Sequence, residues 1–461
     1  MSSKEILGAG SDTPSSGPSG PRAKSTLQKW AIVLIVCTGS VCVTCASSIY
    51  TTTYPQIIPE LNTTHLISTL GLSTFVLGIG TGPLLTGPLS EHYGRRPIYL
   101  ISWTLFIIWD IPPPVAGNIE TVIVARFFQG FAGGTFLSVA GGTVGDLFSA
   151  EDIQAPMVVV SSAPFVGPSL GPVLGGFVNY YAGWRWTYYF LGIWAVVLWV
   201  LLWFFAPETK TRTRKRDTLS SPHRARKTLV GLAVLLRPFQ LLLLEPMCLC
   251  LDLYSAVLLG TLYLFFSAFP LVFESNHGMN LWQTRLTFLG IIVGMLLAAA
   301  SNPLWAGIRR RLVNSNNGVS EPEYRLPPAL LGGILVPVGL FWFGWTCYPD
   351  IHWIVPVVGS AFFGCGMLLV FTGIFTFLVD AYPNYAASAL AANAFVRCSS
   401  AAAFPLFGNQ MYEKLGYQWA TSVLAFLTVL MMPLPWVFYK YGKWLRGKSR
   451  FAIASASGSA R

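Results

Sequence analysis

The chain has 461 residues, of which 53% are hydrophobic, 14% aromatic and only 11% charged, with mean hydropathy +0.56. Soluble domains carry about 25% charged residues, so this composition excludes a water-soluble globular protein, a disordered chain and a coiled coil, and leaves an all-α membrane protein. The net charge of +11 does not describe a nucleic-acid partner: the Lys and Arg residues gather in a few connecting segments, with no basic face interleaved with stacking aromatics. The eight cysteines form no CxxC metal frame and read as small packing residues, so no metal is expected.

In chain order, residues 1–29 are rich in Ser, Gly and Pro and predict a disordered cytoplasmic tail with no cleavable signal peptide. Runs of about 20 apolar residues, enough to cross a bilayer, follow at 30–50, 66–88, 97–115, 121–145, 156–178, 187–206, 246–272, 284–306, 328–347, 353–379, 387–411 and 418–440. The fifth, eighth and eleventh are interrupted by Pro, Gly, Ser or Asn, as helices lining a cavity tolerate. A basic linker at 207–245, carrying the run KTRTRKR, divides the twelve into bundles at 30–206 and 246–440, and 441–461 is a second cytoplasmic tail.

With both termini cytoplasmic, 25 of the 30 Lys and Arg residues fall on the cytoplasmic side. Arg185, Arg285 and Lys414 are assigned to external loops, and Arg126 and Arg397 to span interiors. The sequon at Asn62 falls in the first external loop, where it is a candidate glycosylation site. Gly130 and Asp146 around the fourth span recur at the same spacing as Gly364 and Asp380 around the tenth, and the same offset carries Gly171 onto Pro405. These repeats predict two pseudo-symmetric six-helix bundles with a substrate path between them.

Three motifs carry the chemistry. Between the second and third spans stand Gly87, Glu91, Gly94, Arg95 and Arg96: a glycine for a tight turn, two cations excluded from the bilayer, and an acid placed to pair with them or with a helix N-terminus. Asp146 and Asp380, at cytoplasmic helix ends, join this charged latch or pair with an adjacent helix. The fourth span holds Arg126, Gln129 and Gly130. A charge inside an apolar helix usually faces a polar interior; the alternative is a guanidinium snorkelling to the outer interface. The fifth span reads Gly167, Gly171, Pro172, Gly175, Gly176, with bare backbone presented for close helix contact.

The first motif resembles the cytoplasmic signature loop of the major facilitator superfamily, G-x-L-x-D-x-x-G-R-R/K, with Glu91 where Asp is usual. The second resembles the superfamily's R-x-x-Q-G motif, and the third matches G-x-x-x-G-P-x-x-G-G, which marks antiporters. Gly183-Trp184-Arg185-Trp186, Pro207-Glu208-Thr209, the run from Tyr263 to Pro270, Pro322-Glu323-Tyr324-Arg325, Val379-Asp380-Ala381-Tyr382 and the run from Ala402 to Phe407 resemble the twelve-span fungal drug:proton antiporters over residues 30–445. The resemblance implies a twelve-helix, two-bundle major facilitator fold and proton-coupled export of drugs such as azoles or of secondary metabolites by a rocking motion. It also implies no cofactor beyond the proton gradient, and a monomeric, multi-pass protein of the plasma or vacuolar membrane.

Proton coupling needs a titratable group in the pathway. The candidates are Asp110 in the third span and Asp252 in the seventh, with Arg126 acting by holding a neighbouring carboxylate; Asp110 is alternatively an external-interface residue. Gln129, Tyr254, Tyr263, Phe266 and Arg397 are the candidate cavity residues, with Phe265 and Phe371 as further aromatics, and Arg397 either pairs with Asp380 or binds an anionic substrate. The expected cargo is amphipathic or weakly cationic. A polyamine exporter calls for more intramembrane acids, and a proton symporter is disfavoured by the fifth-span motif. An enzyme lacks any HExxH, GxSxG or paired-carboxylate constellation, and a membrane sensor lacks a large cytoplasmic domain.

Overall fold

The computed structural model describes residues 24–148, 152, 154–205, 208, 237–383, 385–449 and 451–452, except for the side chains of Glu91, His92 and Gln154. Most of the N-terminal tail and of the 207–245 linker, and about half of the C-terminal tail, therefore lie outside the described residues. Eleven apolar helical stretches are long enough to span a bilayer, and the last, Ala386–Lys448, runs to 63 residues. Gly416 interrupts it with φ 75° and ψ 163°, a conformation open to a residue without Cβ, so the stretch folds back and crosses twice. The twelve crossings expected from the sequence are all present.

They are α1 (Thr26–Glu60), α2 (His65–Tyr93), α3 (Arg95–Val115), α4 (Ile119–Leu147), α5 (Gln154–Ala182), α6 (Trp184–Phe205), α7 (Pro246–His277), α8 (Leu281–Ser315), α9 (Pro327–Trp345), α10 (Ile354–Ala381), α11 (386–415) and α12 (417–448). Among the described residues no strand occurs. The three interrupted spans form helices nonetheless. Helix α5 is continuous through Pro164, Pro168 and Pro172, α11 passes through Pro405, and α8 is jointed at Thr287–Phe288 and again at Ser301.

The six-helix repeat is visible in the packing of the two halves. In the first half α2 packs on α4 and α1 on α5; in the second α8 packs on α10 and α7 on α11. The repeated glycines occupy matching contacts: a Cβ on Gly130 of α4 would strike the Phe75 carbonyl of α2, and one on Gly364 of α10 would strike the Ile291 carbonyl of α8. Bare backbone at these points lets two helices approach within side-chain distance. The halves meet chiefly through α2 against α11 and α5 against α8. Large side chains such as Phe204, Leu430 and Leu243 remain exposed around the perimeter, as a lipid-facing belt requires.

Candidate functional site

Helix α1 carries an unusually polar segment for an apolar helix, Ser47 to Thr53 apart from Ile49 and Tyr50. The hydroxyls of Ser47, Ser48, Thr51, Thr52 and Thr53 each donate to the carbonyl three residues back. Over Tyr50–Thr53 the backbone tightens into a 3-10 turn, a transition that such back-bonding favours. Arg126 of α4 reaches this bend. It is fully buried and donates to the carbonyls of Ala46 (2.8 Å), Ser47 (3.0 Å) and Gly71 (3.3 Å), while its guanidinium carbon lies 4.1 Å from the Phe75 ring centre and 4.7 Å from that of Tyr50. The snorkelling alternative is thereby corrected: enough carbonyls are directed inward to hold the charge in the protein.

Arg126 makes no ion pair among the described residues. The nearby acid, Asp110 of α3, is buried and accepts instead from Gln129 Nε2 at 2.6 Å; it is therefore not an interface residue, and Gln129 belongs to this network and not to a cavity wall. The second half has a comparable arrangement. Asp252 of α7 is fully buried and accepts from Asn393 Nδ2 (2.9 Å) and from the Cys248 thiol (3.5 Å), and Asn393 also donates to Ser255. Asn393 was not anticipated; its signal is its position on α11 one turn before Arg397.

Between the halves, at mid-helix, lies a narrow cleft lined by Thr44 of α1, Val76 and Ile79 of α2, Leu137 of α4, by Pro164, Phe165 and Pro168 of α5, by Leu259 and Tyr263 of α7, and by Arg397 and Cys398 of α11. Tyr263 hydrogen-bonds Ser47 of the opposite half at 2.7 Å. Phe165 stacks on Phe371 of α10 at 4.5 Å, again across the halves. Of the other candidate cavity residues, Phe266 packs against Tyr263 and Phe288, and Phe265 lies in the second half's core among Phe269, Phe343 and Phe363. The Tyr254 hydroxyl faces Gly333 of α9, away from the cleft-lining residues. Two residues beyond Asp252, Tyr254 points to nearly the opposite side of α7, where Gly333 leaves room.

At the end of the molecule bearing Asn62, exposed with φ 48°, the halves are in contact. Ser73 donates to the Ala402 carbonyl at 2.6 Å, Asn409 meets His65 at 3.2 Å, and Trp282 stacks on Phe177 at 5.6 Å. Arg285, assigned above to an external loop, is in fact buried between α8 and α5, where it donates to the carbonyls of Phe266 and Thr51. Its helix begins three residues earlier than the apolar run, capped by a reciprocal Asn280–Gln283 pair, and the earlier start carries Arg285 inside. The run around Trp184 closes the same end: Glu60 accepts from Trp184 and pairs with Arg185 at 2.6 Å.

At the opposite end, Gly94 has φ 102°, the turn that the latch motif requires. Arg95 lies 3.4 Å from Asp146 and donates to Ser90; Arg96 donates to the Trp203 carbonyl. The Glu91 side chain lies outside the described residues. The acid at the α3 N-terminus is Glu208, which accepts from the backbone N–H of Arg95 (2.9 Å) and Arg96 (3.2 Å), the favoured place for a carboxylate. In the second half Asp380 pairs with Arg325 (2.7 Å) and Arg309 (3.7 Å), and not with Arg397. Glu323 grips Arg446 of α12 with two contacts at 2.8 and 2.9 Å.

The glycine-rich motif of α5 is a packing ridge with a second face. Cβ atoms on Gly167, Gly171 and Gly175 would meet α1, at Val41, Cys45 and Ile49 among others, while one on Gly176 would meet Arg285 of the other half at 2.7 Å. Pro172 is buried beside them. No cluster of three or more potential metal ligands occurs among the described residues.

Two bundles of like packing around a mid-membrane cleft, closed at one end, define a secondary membrane transporter. Comparison with known proteins agrees: the sequence pattern of the Major Facilitator Superfamily matches residues 36–405, and the chain belongs to that family. It is 52% identical over 397 residues to the efflux pump atB of Aspergillus terreus, covering 82% of this chain and 83% of that one. It is 41% identical over 448 residues to the probable drug/proton antiporter YHK8 of Saccharomyces cerevisiae, covering 94% and 87%. Among solved structures, the human organic anion transporter MFSD10 superposes with TM-score 0.63 at 18% identity, over 88% of this chain and 99% of that one, which bears on the fold alone.

Proposed function

We propose that the protein is a proton-coupled antiporter that exports amphipathic organic compounds by alternating exposure of the cleft between its halves. The observation that carries this reading is the cleft itself, walled by both halves and sealed at the Asn62 end by the Ser73–Ala402, His65–Asn409 and Phe177–Trp282 contacts. The names of its relatives, an efflux pump and a probable drug/proton antiporter, support export and proton coupling. The distribution of Lys and Arg supports both termini in the cytoplasm, so the sealed end is external and the state is inward-facing. The rocking units are residues 30–206 and 246–440, joined by the basic linker, in a monomer of the plasma membrane.

The parts have separate tasks. Arg126 ties the bent segment of α1 to α4, and Ser47 in that segment reaches Tyr263 of α7, so a change at α1 is felt in both halves. Asp110 and Asp252 are the acids that exchange protons, one per half, each held by a side-chain amide. Arg95–Asp146 and Arg325–Asp380 fasten the cytoplasmic helix ends within each half, which lets the halves move as units. Gly176 admits Arg285 at the external seal. No enzyme chemistry and no bound cofactor enter this scheme. The cleft-lining residues include no carboxylate, which weighs against a polyamine cargo.

Purified full-length protein in proteoliposomes tests the reading. A panel of an azole, an aromatic acid and spermidine is offered at zero gradient and with protons supplied from the side opposite the cargo. Accumulation of at least one compound against its own gradient, abolished by a protonophore, is expected. Cargo and protons moving in the same direction would replace antiport by symport.

A further inference from the structure

Other buried arginines have most of their donors engaged: Arg126 on three carbonyls, Arg446 on Glu323, and Arg285 on the carbonyls of Phe266 and Thr51, with Nε alone lacking a partner among the described residues. Arg397 differs. It is 8% exposed, and its Nε and Nη1 are buried without a hydrogen-bond partner among the described residues. Open donors on a buried guanidinium are costly, and Nε and Nη1 are available to a partner in the cleft.

The surroundings of Arg397 say what that partner is. Arg397 lines the cleft between the halves, and its guanidinium carbon lies 5.1–5.5 Å from the ring centres of Phe165, Phe371 and Phe375. Contact with a ring face does not consume the in-plane N–H donors, which form the fork that matches a carboxylate. The neighbouring acid, Asp252 of α7, is held by Asn393 and Cys248 and forms no ion pair with Arg397 among the described residues. The other walls are apolar apart from the Thr44 and Tyr263 hydroxyls and the Cys398 thiol, which lies against Arg397. A cation entering this cleft would meet a fixed positive charge and no compensating acid on its walls; a polar neutral compound would accept from the guanidinium but bring no countercharge.

We infer that Arg397 is the recognition point for the carboxylate of an amphipathic organic acid, whose ring or chain lies against Phe165 and Phe371. The inference rests on the reading that organic compounds pass through this cleft, and it reverses the weakly cationic cargo expected from the composition. Arg397, Phe371 and Phe375 belong to one half and Phe165 to the other. A bound acid is therefore anchored to the second half and loses part of its apolar seat when the halves separate.

The test uses three probes with one ring system: 2-naphthoate, its methyl ester and 2-naphthylmethylamine. Equilibrium binding to the purified full-length chain in detergent is read by tryptophan fluorescence and by ligand-induced thermal shift. Wild type is expected to bind the acid about tenfold more tightly than the ester or amine, the range for a desolvated charge-assisted pair. Arg397→Gln brings the acid down to the ester's affinity while the ester still binds, which shows the cleft intact; Arg397→Lys keeps part of the acid preference. Equal affinity for the three probes, a preference for the amine, unchanged acid binding in Arg397→Gln, or failure of wild type to bind the acid would overturn the inference. Binding needs no gradient, so failure of proton-driven transport with acid selectivity intact would count against the antiport reading alone.

Discussion

At the scale of single residues, the ionisable groups divide into those that hold the structure and those that are available to act. Glu323 is the clearest of the first kind: its side chain and that of Arg446 are 6% and 3% exposed, so Glu323→Ala removes the closer acid from a buried guanidinium and leaves it Glu321 at 3.8 Å. A loss of about 3–5 kcal/mol is expected, read as a fall in the thermal unfolding midpoint in detergent. Lys443→Ala, which removes an exposed pair with Glu321, is expected to change stability by under about 1 kcal/mol. Asp252 is of the second kind in the proposed scheme. Asp252→Asn keeps the shape and removes the charge, so proton-driven accumulation is expected to disappear while cargo exchange at zero gradient continues. Normal accumulation at every external pH would remove Asp252 from the coupling scheme. The sequence displays such residues unevenly. Arg126 and Arg397 stand out because a charge inside an apolar run is conspicuous, whereas Glu208 and Glu323 look like loop acids until the fold brings α3 and α12 against them. Arg285 misleads for the converse reason, since a polar cap moved its helix start outward and took the charge into the interior.

At the scale of elements, apolar run length is enough to locate all twelve helices, because a bilayer imposes length on each of them separately. What run length does not convey is which face of a helix meets which neighbour. Helix α5 shows how much a small-residue motif adds. Its glycines four apart form one ridge against α1, and the single step to Gly176 turns the contact to the other half. A Cβ on Gly171 would lie 2.7 Å from the Cys45 carbonyl oxygen and 2.8 Å from the Ile49 nitrogen, both backbone atoms that cannot rotate aside. Gly171→Val is accordingly expected to force α1 from α5 and destabilise the fold by about 1–3 kcal/mol, with transport lost at the same time. Gly87→Ala serves as the contrast: it belongs to the latch motif, but nothing lies within 4 Å of the added atom, so its thermal midpoint is expected to stay near that of wild type. Aromatic residues on α7 resist such reading altogether. Tyr254, Tyr263, Phe265 and Phe266 share one helix, yet only Tyr263 lines the cleft, since which ring turns inward depends on gaps left by α9 and α1.

At the scale of the whole molecule, the proposed transport cycle depends on one seam opening while the other closes. In the present state the seam between α5 and α8 is shut at the Asn62 end, where Phe177 and Trp282 stack across the halves and Gly176 receives Arg285. If the halves move as units, fastening this seam must hold the cleft in its inward-facing form without disturbing its walls, because neither Phe177 nor Trp282 lines it. The double variant Phe177→Cys/Trp282→Cys, bridged by a short bifunctional reagent that a reductant cleaves, should therefore stop transport and recover it on reduction. Each single variant, and wild type with its eight native cysteines, should be insensitive to the same treatment. Binding of a cleft ligand by the bridged protein in detergent should persist with unchanged affinity, since Arg397 and Phe165 lie at mid-membrane beyond the bridge. Continued transport in the fully bridged protein would mean that the cargo does not need this seam to open, and the rocking scheme would fall.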